Sequence, residues 1–320
     1  MRKFSSQAVV GLVGALSVMV AGCDQIANLR GRMAFREANT SYQAQDWKAA
    51  VAKYEEVIAK NPTDPQLLTS YFFLGNSYDN QFKPGRENDP GNDALLQKAI
   101  ENYKLATERL AENPQIRLLS MQYLVAAYGP DKLNDPALAE PLLLKMIEDD
   151  PKESANYFLL SRLYEDSGDY ERAEGALVKA REAKPSDPIV YTTLAAYYDR
   201  QDQFEKLMEA LEARTAQEPN NPEAFYTMAT YYFNKASQDA RIGAADKAKY
   251  ASAGVVAADK ALAINKDYME ALVFKNLLLR LQANLERNPA RQQALLKEAD
   301  TIRNRAEELR KLKAAGLGGA

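Results

Sequence analysis

The sequence predicts an all-α chain of stacked antiparallel helix pairs, on three observations. Pro151, Pro185 and Pro219 stand 34 residues apart, and each closes one apolar helical pattern before the next begins, as a helix-ending proline does. Between them apolar residues return at three- and four-residue steps, as in Tyr157, Leu160 and Tyr164, which gives a helix one buried stripe. Small residues such as Ala173 and Ala180 fall where two helices must approach closely, with Leu177 filling the space between. Neither helix of a pair hides its stripe alone, so stacked neighbours are required.

The first segment is an address. Arg2 and Lys3 precede an apolar stretch from Ala8 to Ala21 that ends in small residues, the layout of a secretory signal. As a transmembrane helix the stretch is short, and Asp24 follows it closely. Val20-Ala21-Gly22-Cys23 resembles the bacterial lipobox. That resemblance implies cleavage between Gly22 and Cys23 and acylation of Cys23 on sulfur and nitrogen. At about 0.8 kcal/mol per buried methylene, several acyl chains anchor a protein stably. Cys23 is the only cysteine; an ordinary cleaved signal beside a spare cysteine is the other reading. Residues 1–22 are then a lipoprotein signal peptide and 23–31 an acylated N-terminus and linker. Asp24 resembles the enteric signal for inner-membrane retention, yet inner and outer membrane both stay open for a body in the periplasm.

The units follow in order. Ala38, Asp46, Trp47, Ala50, Tyr54 and Pro62 mark the first, with Tyr42 one place later than its counterparts. Tyr71, Leu74, Gly75 and Tyr78 begin the second, completed by Ala99, Tyr103 and Ala106 after an insertion, residues 81–93. Leu124 and Tyr128 pair with Ala139, Leu143 and Met146 in the third, where Pro141 should kink the second helix or delay its start. The fourth carries Tyr157, Leu160, Ser161, Tyr164, Gly168, Tyr170, Ala173, Leu177, Ala180 and Pro185; Gly168-Asp169 breaks one helix and caps the next.

Tyr191, Leu194, Ala195, Tyr198, Phe204, Leu207, Leu211 and Pro219 form the fifth unit, with Gln201-Asp202-Gln203 in its turn. Phe225, Met228, Ala229 and Tyr232 open the sixth, whose turn is lengthened by residues 235–248 and whose return helix is expected near Lys249 to Ile264. Residues 269–285 and 290–313 make a final pair, and 286–320 a C-terminal capping helix and disordered tail.

The fourth unit closely resembles the tetratricopeptide repeat, and the likeness extends over residues 32–285 as about six to seven repeats. It implies a right-handed superhelical solenoid whose first helices line a concave, protein-binding surface. By that register the surface comprises Phe35, Asn39 and Tyr42, then Phe72, Asn76 and Asp79, then Gln122, then Phe158, Arg162 and Glu165. Thr192, Arg200, Tyr226, Thr230 and Phe233 continue it. Aromatics at helical spacing are as readily core. Some such repeats clamp a terminal carboxylate with two asparagines and several cations; Asn39 and Asn76 match, but Phe35, Gln122 and Ala126 occupy the cationic slots, so no clamp is expected.

Composition closes most other chemistry. The chain has no histidine and a net charge of −3. It therefore lacks the commonest general base and the commonest metal ligand, and its mildly acidic balance argues against non-specific nucleic-acid binding. Residues 165–171 lack the ligand pattern of a calcium loop. Glu148, Asp149 and Asp150 fit a solvated helix end, and Asp89-Pro90-Gly91 is a turn without a phosphate-binding lysine. No enzyme, metal, nucleic acid, small-molecule substrate or cofactor beyond the lipid on Cys23 is expected. The resemblances imply a membrane-anchored scaffold or adaptor for proteins of the bacterial cell envelope. A fixed structural subunit of an envelope assembly complex, serving outer-membrane proteins, pili or secretion, is the alternative.

Overall fold

The structure, a computed structural model, describes residues 29–86 and 89–315. The signal segment with Gly22, Cys23 and Asp24, residues 87 and 88, and residues 316–320 lie outside the described residues. Among the described residues there are fourteen helices and no strand. The chain divides into two compact units, Met1–Ala173 and Glu174–Ala320.

The first unit holds α1 (29–43), α2 (Trp47–Lys60), α3 (Ser70–Asp79), α4 (Pro90–Arg109), α5 (Pro114–Ala127), α6 (Pro136–Asp149) and α7 (Ser154–Asp166). The division falls within α8 (Tyr170–Ala183). The second unit continues with α9 (Pro188–Arg200), α10 (Phe204–Gln217), α11 (Pro222–Gln238), α12 (Ala244–Ile264), α13 (Met269–Leu285) and α14 (Pro289–Ala314). Consecutive helices pack on one another in both units, as the repeat pattern requires.

Local chemistry sets the boundaries. Asp89, Asn113, Asp135, Asp187, Asn221 and Asn288 each accept a hydrogen bond from a backbone N–H of the helix they precede. A proline stands at the first helical position after each of them, where its missing N–H costs nothing. Asp46 and Asp169 cap α2 and α8 in the same way. The turns inside four of the pairs pass through one left-handed residue: Gln45, Asn134, Gly168 or Asp202. Asp202 lies 34 residues after Gly168 and has φ 54°, against 76° for the glycine, so it bends the fifth unit's turn without a glycine.

In the first unit the core runs through Ala50, Tyr54, Leu74, Ala99, Tyr103, Ala106, Leu124 and Ala139. Gly75 lets α3 and α4 touch: a Cβ there would lie 2.9 Å from the Tyr103 ring and 3.1 Å from the Ala99 carbonyl. In the second unit Leu194, Leu207, Leu211, Ala258, Leu278 and Leu279 are buried, and α14 adds Ala299 and Ala306. Ion pairs Lys275–Glu298 (2.8 Å), Arg280–Asp300 (2.6 Å) and Arg305–Asp267 (2.6 Å) also hold α14.

Two expectations are corrected. Pro141 does not delay α6, which starts at Pro136 and runs through it; Pro141 is exposed, so only one backbone bond near the helix start is forgone. Residues 235–248 do not form a long turn. They extend α11 to Gln238 and begin α12 at Ala244, because their alanines and lysines favour helix.

A repeated contact ties successive pairs. In the first unit the Tyr164 hydroxyl donates to Glu140 (2.8 Å), which also receives Arg172 (3.0 Å), and the guanidinium lies 4.3 Å from the Tyr164 ring centre. In the second unit Tyr198 donates to Glu174 (2.9 Å), Lys206 donates to the same carboxylate (2.7 Å), and its ammonium lies 5.3 Å from the Tyr198 ring. Each residue is offset by 34 positions from its counterpart.

Gly75→Ala should therefore lower stability by about 1–3 kcal/mol, the usual cost of overpacking against a ring that cannot yield. A thermal midpoint within a degree of wild type, followed by circular dichroism, would refute the close approach of α3 to α4.

Candidate functional site

The first helices of the early pairs carry the expected surface, and the structure sorts its residues by what each already touches. On α1, Phe35 and Tyr42 are half-buried. Asn39 accepts a hydrogen bond from the Tyr54 hydroxyl at 2.6 Å, and Tyr42 donates to the Asn76 side-chain oxygen at 2.7 Å. On α3, Phe72 is 3% exposed and Asn76 4%. These two belong to the core and correct the expectation that they face a ligand: Tyr103 and Tyr123 cover them, with Phe72 ring contacts at 6.1 and 5.5 Å.

Asn76 is the centre of a polar network inside the first unit. It accepts from Asn80 (2.9 Å) as well as Tyr42, and its amide donates to the Tyr103 hydroxyl at 3.4 Å. Tyr103 donates in turn to Asp79 (3.2 Å), whose other oxygen takes Lys132 from the loop after α5. Every member has a partner, as a buried polar network must to avoid a desolvation penalty. The two asparagines are consumed by tyrosines, so no anion clamp forms there.

The rings are continuous. Phe35, Tyr42, Trp47, Tyr54, Phe72, Phe73, Tyr103 and Tyr123 are joined by contacts of 5.0 to 6.4 Å, mostly edge-to-face. Phe35, Tyr42, Trp47, Phe73 and Tyr123 keep part of their surface in solvent. Such a surface gives a partner large, rigid aromatic area with little side-chain entropy to lose. Phe73 and Tyr123 were not foreseen; each flanks a core residue, Leu74 or Leu124, and sequence position alone ranks neither above it.

On α7, Phe158 is half-buried and Arg162 is exposed, paired only along its own helix with Asp166 at 3.0 Å and Glu165 at 3.9 Å. Of the predicted residues in the first unit, Arg162 alone is exposed. In the second unit Tyr226 packs edge-on against Tyr268 (5.6 Å) and Phe274 (5.5 Å), and Phe233 also meets Phe274 (5.6 Å). Tyr268 and Phe274 come from the degenerate last pair, which the register did not assign to a surface.

The second unit also contains a cavity of about 420 Å³, lined by Tyr198, Asp202, Phe204, Tyr231, Lys235 and Arg241. Arg241, from the inserted turn, donates to Asp202 and Asp239, and Lys235 to Asp239 at 2.8 Å. The ion pairs hold the Asp239 carboxyl well below the usual range. Lys235, Arg241, Asp202 and Asp239 thus satisfy one another. No group of three or more metal-binding side chains occurs among the described residues, and none of their helices is long and apolar enough to cross a membrane.

Burial raises the Tyr54, Tyr78, Tyr103 and Tyr198 hydroxyls above their ordinary value of 10.0, and the carboxylates beside Tyr78, Tyr103 and Tyr198 raise them further. The folded chain keeps these phenols protonated where the unfolded chain ionises. Their contribution is fully present below about pH 10 and is lost as pH rises from there towards the folded values. The thermal midpoint should be flat from pH 8 to 10 and fall above it, with tyrosinate absorbance appearing together with unfolding. Tyrosinate appearing while helix content stays intact would refute the buried arrangement.

Residues 132–197 match the tetratricopeptide repeat model. No curated protein matches the chain in sequence. Among solved structures, it resembles the C-terminal part of a tetratricopeptide repeat-containing protein from Cytophaga hutchinsonii, at 14% identity and a TM-score of 0.53, over 84% of this chain and 95% of that one. MamA from Desulfovibrio magneticus is also similar, at 16% identity and a TM-score of 0.43, over 59% of this chain and 95% of the other. At these identities the likeness is one of fold.

Proposed function

Starting from a chain that carries tetratricopeptide repeats, we propose that it is a lipid-anchored scaffold that holds a protein partner at a membrane of the bacterial cell envelope. A protein-interaction role is what the fold supports. The anchor, the envelope and the periplasmic side are the finer reading, and they rest on the run Val20-Ala21-Gly22-Cys23 and the charged, apolar segment before it. The single observation that carries the binding role is the continuous aromatic surface of the first unit, whose rings are locked by one another while five of them remain half-exposed. The partner is a protein segment with apolar side chains to lay on those rings and polar groups to meet Arg162. No cofactor is invoked besides the lipid.

The alternative, a fixed structural subunit of an envelope assembly complex, draws on the self-satisfied polar network around Asn76. A spacer needs no free polar groups, and substitution of its surface rings would leave assembly unchanged.

Two measurements test the proposal. Cys23→Ser should move the chain from the membrane fraction to the soluble or secreted fraction, and an unchanged membrane fraction refutes the anchor. Tyr123→Ala, Phe158→Ala and Arg162→Ala together should weaken partner capture by tenfold or more, read by crosslinking and co-purification of the acylated protein. Removing two anchoring rings and a cation costs at least that much at a protein interface, and helix content should stay constant. Undiminished capture in the triple variant would favour the spacer.

A further inference from the structure

We infer that the outward face of α1 is a seat for an anionic lipid surface, so that the chain lies against the bilayer through its first helix as well as through its anchor. Residues 29–36 read Leu-Arg-Gly-Arg-Met-Ala-Phe-Arg, three cations with no acid in a chain whose net charge is −3. The rotation of α1 is fixed by its packed side. A Cβ on Gly31 would lie 2.4 Å from the Asn61 amide nitrogen and 3.0 Å from Leu67, while Ala34 is 8% exposed and Ala38 is fully buried.

At about 100° per residue, Arg32, Arg36, Leu29, Met33 and Arg30 then fall within roughly 160° of arc on the opposite side. The exposures agree: Leu29 is 61% and Met33 58% exposed, and the three arginines are exposed as well. Two apolar side chains one turn apart, ringed by guanidiniums, form the pattern of a helix that rests in a lipid interface.

The charges are free for that use. No carboxylate among the described residues pairs with Arg30, Arg32 or Arg36, and Glu37, the next acid along the helix, is taken by Lys53 at 2.6 Å. Other arginines are matched, such as Arg172 with Glu140 and Arg305 with Asp267. Position makes lipid the fitting occupant. Leu29 lies six residues after Cys23, a span of at most about 20 Å when extended, so an acyl group on Cys23 holds this face beside the headgroups. The inference rests on the lipid anchor proposed above. Each arginine near an anionic leaflet strengthens partition by about fivefold, an attraction that salt screens.

The test uses the full acylated chain with Met33→Cys carrying an environment-sensitive fluorophore. It is reconstituted in vesicles of phosphatidylcholine alone or with about one-third phosphatidylglycerol, and an otherwise identical chain labelled at Leu312→Cys serves as control. A water-soluble quencher should reach position 33 at least threefold more slowly in the anionic vesicles. Position 312 should be equally accessible in both. Arg30→Gln, Arg32→Gln and Arg36→Gln together should abolish the protection, while the chain still floats with the vesicles and keeps its helix content.

Equal quenching at position 33 in both vesicles, with flotation intact, overturns the inference and leaves the anchor standing. Protection already present in neutral vesicles, and growing with protein density, assigns the face to a second copy and overturns it too. Failure to float on neutral vesicles refutes the anchor instead. The same unacylated chain then reads the face alone: flotation on anionic vesicles that the triple variant loses upholds the lipid seat, and no flotation overturns it.

Discussion

One constraint governs this chain: each helix pair has an apolar stripe that it cannot cover by itself. Leu74, Tyr103 and Ala106 of one pair and Leu124 of the next share a core because α4 packs on α5, and no pair could be removed without exposing its neighbour. Contact between the two helices of a pair depends on small residues, and Gly75 beneath Tyr103 is one such close approach. The bond between successive pairs depends on a tyrosine that reaches back to a carboxylate on the preceding second helix, with a cation lying over its ring. Packing supplies most of the stability, and the phenol-carboxylate-cation contact fixes the stagger.

That arrangement explains why the candidate surface is narrower than its register implies. The tyrosines that build the stack need hydrogen-bond partners, and the asparagines on the first helices supply them. Tyr54 uses Asn39, and Tyr42 and Tyr103 both use Asn76. A buried phenol without a partner would cost more than a surface asparagine is worth to a ligand, so the fold takes the polar groups first. What is left for a partner is aromatic edge and a few cations such as Arg162.

The helix pairs were legible because their signals are local. The 34-residue spacing of Pro151, Pro185 and Pro219 set the period, and the structure adds a marker that went unread: an Asp or Asn followed by proline at the head of six helices. The surface was legible in direction but not in depth. Position along α3 places Phe72 and Asn76 on the ligand side, yet Tyr123 of α5 folds over Phe72 from 51 residues away, and no local pattern carries that contact. The inserted segment 235–248 misled for a related reason. Its length was read as loop, whereas its alanine content lets α11 and α12 grow, and the one short turn left is tied down by Arg241 through Asp239 and Asp202.

A surface made of ring edges, with most polar groups already spent, binds by area and shape, and such interfaces release their partners readily when few hot spots are fully desolvated. A tether changes that balance. A chain held near a membrane meets partners in the same layer at an effective concentration far above that of free solution, and contacts too weak to persist in bulk become sufficient. The benefit is greatest when the tethered body does not tumble, because a fixed orientation keeps the aromatic face turned to the same side. The proposed second contact beside the proposed anchor, made by the arginines and exposed apolar side chains of α1, would restrain that tumbling without using any residue of the aromatic surface. The division of labour is consistent along the sequence: α1 packs inward through Gly31, Ala34 and Ala38 and turns its cations outward, while the rings proposed to meet a partner begin at Phe35 and continue onto α3 and α5.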